Sequence, residues 1–206
     1  GSTYTTVDSG DFSIDARGGI LNMTDNLDYL QAIISASAST SDGNVILANT
    51  IGIENTNTSM SSVEADIEIY AYAGTNSDST DAGDAEVAIN HLYINIQAED
   101  SADASVDTIS AYASGNGVAR IEIGDININA LATAVSGTAY ASVEDISAYA
   151  DGNGSATIII DSINVTAEAE GSANASVSSI SATAYDNATV RIEIGDINIA
   201  AIAYTG

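Results

Sequence analysis

This chain of 206 residues has no cysteine, proline, tryptophan or lysine, and only one histidine and one phenylalanine. Without cysteine there is no disulfide framework, no thiolate metal site and no thiol nucleophile. The absence of lysine leaves Arg17, Arg120 and Arg191 to face 29 acidic residues, and the formal net charge is −26. Nucleic-acid binding needs cations that displace phosphate counterions, so this balance argues against it. An anionic membrane surface is ruled against on the same ground. No apolar run approaches a membrane span and no signal peptide is recognisable, so membrane insertion is not expected, and an exported protein would be represented here in mature or trimmed form. Catalysis is poorly provided for. One histidine, no lysine, no cysteine and no G-x-S-x-G leave no recognisable pairing of nucleophile and base. The expectation is a protein that is not an enzyme.

What the chain does have is repetition. Arg120–Ile128 reads R-I-E-I-G-D-I-N-I, and Arg191–Ile199 reads the same, with Ile158–Val165 (I-I-I-D-S-I-N-V) a relaxed copy between them. A second type alternates with it at Ser105–Ala113, Ser142–Ala150 and Ser176–Ala184. Taking the apolar residue after each two-residue polar step as an anchor gives Ile34, Ile51, Ile67, Leu92, Ile109, Ile126, Ile146, Ile163, Ile180 and Ile197. Their spacings are 17, 16, 25, 17, 17, 20, 17, 17 and 17 residues. A unit this short cannot bury its own apolar face, so it must be stacked on copies of itself.

Within a unit the apolar residues alternate, skip two polar residues, and alternate again, as in Ile121, Ile123, Gly124-Asp125, Ile126, Ile128. Alternation marks a strand with one buried face, and the skip predicts a corner that keeps both arms pointing inward. Gly124 and Gly195 suit such a bend. Strand arms joined by Gly/Asn loops predict an all-β fold, a β-solenoid (parallel β-helix) of roughly 17-residue units. The rival is an antiparallel sandwich or barrel in which each Gly-Asn-Gly is a hairpin loop. Asn127, Asn164 and Asn198 recur in every second unit, and stacked amides stabilise one another, which favours pairing the units into coils of roughly 34 residues. The domain reading is an N-terminal segment at 1–19 and one repeat domain at 20–206 with a loop insertion at 75–84. Alanine-rich apolar content, ten tyrosines and one phenylalanine predict a thin, layered core.

The segments G-D-I-N-I-N-A (Gly124–Ala130) and G-D-I-N-I-A-A (Gly195–Ala201) resemble the repeats of β-helical bacterial exoproteins, above all filamentous haemagglutinin-type adhesins. The likeness runs from about residue 43 onward. It implies a secreted or surface-bound protein without enzymatic activity. The G-G-x-G-x-D nonapeptide of calcium-binding repeat toxins is absent, so those metal sites do not carry over.

Two features single out calcium as a candidate cofactor. Asp125, Asp145 and Asp196 each precede an anchor, and a stack of such corner carboxylates would repel unless a cation lay between coils. The loop carboxylates Asp78, Asp81 and Asp84 are evenly spaced in the insertion and could converge on one hard cation. A solvated acidic face is the plain alternative for both groups. Tyr70, Tyr112 and Tyr149 each lie three residues past an anchor and form an expected outward row. Its roles would be sheet stabilisation, a subunit contact or a carbohydrate platform. Arg120 and Arg191 stand two residues before Glu122 and Glu193, on one face, as surface ion pairs.

Together these readings predict an extracellular structural protein that assembles with itself, head-to-tail, into a filament, surface layer or matrix. Arg191–Ile199 is a full repeat, so its edge is expected to be open to another chain. Phe12 and Ile14, on one face of the alternating stretch Thr3–Asp15, are the candidate contact from the next subunit. The alternative is the stalk of a calcium-dependent surface adhesin.

Overall fold

The computed structural model describes residues 12–17, 29–38, 44–55, 58–73, 83–185 and 189–204. They form strands β1 (Phe12–Arg17), β2 (Tyr29–Ala38), β3 (Asn44–Asn55), β4 (Ser62–Ala73), β5 (Ala85–Ala98), β6 (Ser101–Ala113), β7 (Val118–Ala132), β8 (Thr138–Ala150), β9 (Ser155–Ala169), β10 (Ser172–Ala184) and β11 (Thr189–Ala203), with no helix among the described residues. From β2 onward successive strands alternate between two sheets, ordered β1-β2-β4-β6-β8-β10 and β11-β9-β7-β5-β3. Every pairing from β2 to β11 is parallel, and only β1 runs antiparallel, against β2. Hairpins cannot make parallel neighbours, so the antiparallel sandwich is excluded. The fold is a β-solenoid of about four turns.

One coil is two strands, one in each sheet. Asn164 stands 37 residues after Asn127 and 34 before Asn198, and it hydrogen-bonds both side chains. The 17-residue unit is therefore half a coil. Odd and even units lie in opposite sheets, which is why like residues recur in every second one.

Inward side chains from both sheets make one continuous core. Ile121, Ile123, Ile126 and Ile128 of β7 are at most 1% exposed, and so are Ile158, Ile160, Ile163 and Val165 beneath them in register on β9. Each such isoleucine contributes roughly 1.5–3 kcal/mol by leaving water. Alanines fill the strand ends, including Ala102, Ala104, Ala111 and Ala113 of β6, and let the two sheets close upon each other there.

The two-residue step behaves differently from the expected corner. β7 continues from Val118 to Ala132 without a break, and the register passes over Gly124, pairing Ile123 with Ile160 and Asp125 with Ser162. The step is a bulge-like irregularity inside one strand, and it restores the inward face as such an irregularity does. Close approach explains its glycines. A Cβ on Gly124 would run into the Asn90 carbonyl oxygen, and one on Gly195 would run into that of Asp161, both far inside van der Waals contact. Glycines with positive φ sit in the loops instead, at Gly115 (75°) and Gly152 (91°).

Candidate functional site

Stacking in register turns the outward positions into columns, each with its own chemistry. The column through β7, β9 and β11 at Asn127, Asn164 and Asn198 is an amide ladder. Asn164 Nδ2 donates to Asn127 Oδ1 at 3.0 Å, and Asn198 Nδ2 donates to Asn164 Oδ1 at 2.9 Å. Each amide offers both a donor and an acceptor, so a row can satisfy itself along the stack. Arg120 pairs with Glu122 on its own strand, and its Nε lies 3.7 Å from Glu86 Oε1 on the neighbouring one. Arg191 Nη2 lies 2.5 Å from Glu193 Oε1, so the expected surface ion pairs are present.

The corner carboxylates do not come together. Asp125 and Asp196 share a column of the β7 sheet, but Ser162 stands between them, and His91 precedes Asp125. Ser162 Oγ donates to Asp125 Oδ1 at 2.8 Å, while His91 Nδ1 lies 3.4 Å from Asp125 Oδ2. Asp145 is in the other sheet, in register between Thr108 and Ser179. A single row of anchors read from the sequence merges two opposite faces. Of the loop carboxylates, Asp78 and Asp81 lie outside the described residues. Asp84 Oδ1 accepts the backbone N–H of Val118 at 2.8 Å. Among the described residues no three acidic or histidine side chains are grouped to hold a metal ion.

A denser acidic cluster lies elsewhere, on the outer face of β4, β6 and β8. Ser105 Oγ is 2.5 Å from Asp66 Oδ1 and 2.6 Å from Asp107 Oδ1, and Asp66 and Ser105 are the buried polar residues of the described chain. One hydroxyl proton is thus shared between two carboxylates. Burial first, then the charges of Asp66, Asp103 and Asp107, hold the Glu64 carboxyl above its ordinary range. Asp103 is raised likewise by burial and then by Asp66, Asp107 and Glu144. The sequence conceals this group because its members are brought together only by a register that joins residues 39 apart.

The tyrosine row exists, with one change of membership. Tyr72, Tyr112 and Tyr149 stack with ring centroids 5.0 Å apart and planes within 6° of parallel, and Tyr185 packs on Tyr149 at 5.5 Å, tilted by 55°. Tyr70 stands opposite Ser110, and its hydroxyl donates to Glu68 Oε2 at 3.0 Å. The cause is local. Strand β4 alternates strictly through Ile67, Glu68 and Ile69 and lacks the extra residue that Asp107 supplies in β6, so Ile69 is the true anchor and the count shifts by two. Because the rings cover one another's faces, the row presents edges and hydroxyls outward.

The two ends of the stack differ. At core positions of β11, Ile192, Ile197 and Ile199 are 43–48% exposed, although their register partners Ile158, Ile163 and Val165 are fully buried. The equivalent Ile46, Ile51 and Ile53 of β3, at the opposite edge of the same sheet, are at most 4% exposed. Phe12 and Ile14 lie on β1, whose backbone pairs with β2 of the same chain, Phe12 opposite Ala38 and Ile14 opposite Ala36.

No protein-family model, curated protein or solved structure matches the chain.

Proposed function

We propose that this protein is a non-enzymatic structural element, working outside the cell, that associates with copies of itself to build a filament, layer or matrix. The observation that carries the reading is the self-complementary stack: Asn127, Asn164 and Asn198 bond one to the next, and Tyr72, Tyr112 and Tyr149 cover one another's faces, so each coil is built to meet another of its kind. The edge strands of such a stack are templates for further strands. The outer columns support a scaffolding role, since the amide ladder spends its hydrogen bonds along the stack. His91, the one histidine, is engaged with Asp125. Calcium enters this reading only through the loop carboxylates Asp78, Asp81 and Asp84, because the corner carboxylates stand apart. Melting with calcium and with sodium at matched ionic strength tests that part, and coincident curves remove it.

Sedimentation velocity across a wide concentration range, with electron microscopy of the same samples, tests the main proposal. Concentration-dependent association is expected. A protein that remains monomeric at the highest concentrations refutes it.

A further inference from the structure

The tyrosine column carries chemistry that its packing role does not use. The chain has ten tyrosines but no tryptophan and no cysteine, the other side chains that readily give up a single electron. A radical made by a one-electron oxidant therefore settles on tyrosine. Tyr72, Tyr112 and Tyr149 lie in register on β4, β6 and β8, with ring planes within 6° of parallel, so their π systems overlap. An unpaired electron formed on one of these rings can pass to the next along the column.

The fourth ring is set differently. Strand β10 places Thr183 opposite Tyr149, and Tyr185 follows just past the strand, where its backbone N–H donates to the Ala150 carbonyl at 3.3 Å. From there its ring packs back on Tyr149, with centroids 5.5 Å apart and planes inclined by 55°. A hydrogen bond joins the two hydroxyls. Coupled tyrosines are bonded through the ring carbons beside their hydroxyls, edge to edge, and the groups flanking the new bond keep the two rings inclined. In a parallel stack that bond would have to leave the plane of both rings, which disfavours Tyr72 with Tyr112 and Tyr112 with Tyr149. The Tyr149–Tyr185 pair already has the inclination, and its hydrogen bond holds the coupling carbons at adjoining edges.

We propose that Tyr149 and Tyr185 form a site of oxidative cross-linking, at which hydrogen peroxide, acting through a haem peroxidase, joins them into a dityrosine within one chain. Each phenol gives one electron to the oxidant and its hydroxyl proton to water, leaving two phenoxyl radicals. One C–C bond forms between the ring carbons ortho to the oxygens. The hydrogen on each of those carbons is lost as a proton while its oxygen regains one, which restores both aromatic rings. The pair thus loses two electrons and two protons, and these convert one hydrogen peroxide to two waters. The bond ties β8 to β10 from one coil to the next, as a disulfide would in a chain with cysteine, by restricting the unfolded state. Both residues belong to one chain, so the inference is independent of self-association.

Treating the purified chain with hydrogen peroxide and a haem peroxidase tests this. The band of single-chain mass is recovered from a denaturing gel and cleaved after glutamate. Cleavage at Glu144, Glu168, Glu170 and Glu193 puts Tyr149 in peptide 145–168 and Tyr185 in peptide 171–193, each the sole tyrosine of its peptide. The two peptides should emerge as one species with dityrosine fluorescence, lighter than their sum by two hydrogen atoms. Tyr185→Phe keeps a ring in place but has no phenolic hydrogen to give, and it should abolish that species. Tyr140→Phe, at an exposed tyrosine outside the column, should leave the yield unchanged. Oxidation in urea should scatter the cross-links over other tyrosine pairs, since the pairing depends on the fold. A bond between other tyrosines of the folded chain, dityrosine only between chains, no dityrosine at all, or a yield indifferent to Tyr185→Phe each overturns the proposal.

Discussion

Ile126 and Ile197 are the same residue at the same place in a repeat, one inside the stack and one at its end. Ile126 is fully buried, in register between Leu92 and Ile163, and Ile197 is 47% exposed. Replacing isoleucine by alanine removes three side-chain carbons, about 0.8 kcal/mol each, or roughly 2.4 kcal/mol of transfer free energy when burial is complete. At Ile126 a cavity term adds to this, because the strands on both sides are held in register and cannot collapse into the gap, so the total should reach about 4 kcal/mol. At Ile197 only about half of the transfer term applies and no closed cavity forms, so the cost should be near 1 kcal/mol. Urea unfolding followed by far-ultraviolet circular dichroism, at concentrations low enough to keep the chain monomeric, measures both. Equal costs would refute the assignment of interior and end.

Gly124→Ala should destabilise by roughly 2 kcal/mol or more, because the new methyl must displace the Asn90 carbonyl, a backbone atom fixed in the sheet; thermal melting checks this, with Gly117→Ala excluded as a control since its Cβ would also meet backbone, that of Gly83. Asn164→Asp replaces the donor to Asn127 Oδ1 by an acceptor in mid-ladder and should cost about 1–3 kcal/mol at neutral pH, more than Asn198→Asp at the end, as compared by chemical denaturation. Stability should rise on mild acidification. Glu64 and Asp103 have folded-state values raised above those of the unfolded chain, so the folded state binds more protons as pH falls, and the stability present at low pH is lost as pH climbs through the raised values. The melting temperature should be higher near about pH 5 than near about pH 8, and the double variant Glu64→Gln, Asp103→Asn should flatten that slope.

The repeat makes much of this fold legible. Alternation, the two-residue step and the recurrence of Asn127, Asn164 and Asn198 point to a stacked parallel coil with Ile126 and Ile163 inward, and the structure has them so. What the sequence hides follows from register. Counting from anchors misplaces Tyr70 because β4 lacks one residue of the step, a deletion that leaves the alternation intact and so gives no local signal. Asp125 and Asp145 look like members of one row because half-coils of similar length alternate between opposite faces. The cluster around Ser105 needs partners 39 residues apart, a distance at which no spacing rule operates. Phe12 and Ile14 read as part of an alternating strand, and β1 is one. Its pairing with β2 is a matter of tertiary topology, which alternation does not encode.

The separation between stacked residues is 37 for Ser162 and Asp125 but 34 for Asn198 and Asn164, yet the strands keep their alignment. The surplus residues are taken up by the connections at the rim, where lengthening a loop costs only fractions of a kilocalorie, about 0.6 kcal/mol for each doubling. Length along the rod is thus decoupled from length around it. Duplicating one coil's worth of coding sequence would extend the rod by one strand spacing, about 4.8 Å, with every new side chain meeting the neighbour it was already shaped for. A lineage could tune the reach of such a protein by copy number alone, and could vary the rim loops independently to change what the rod displays.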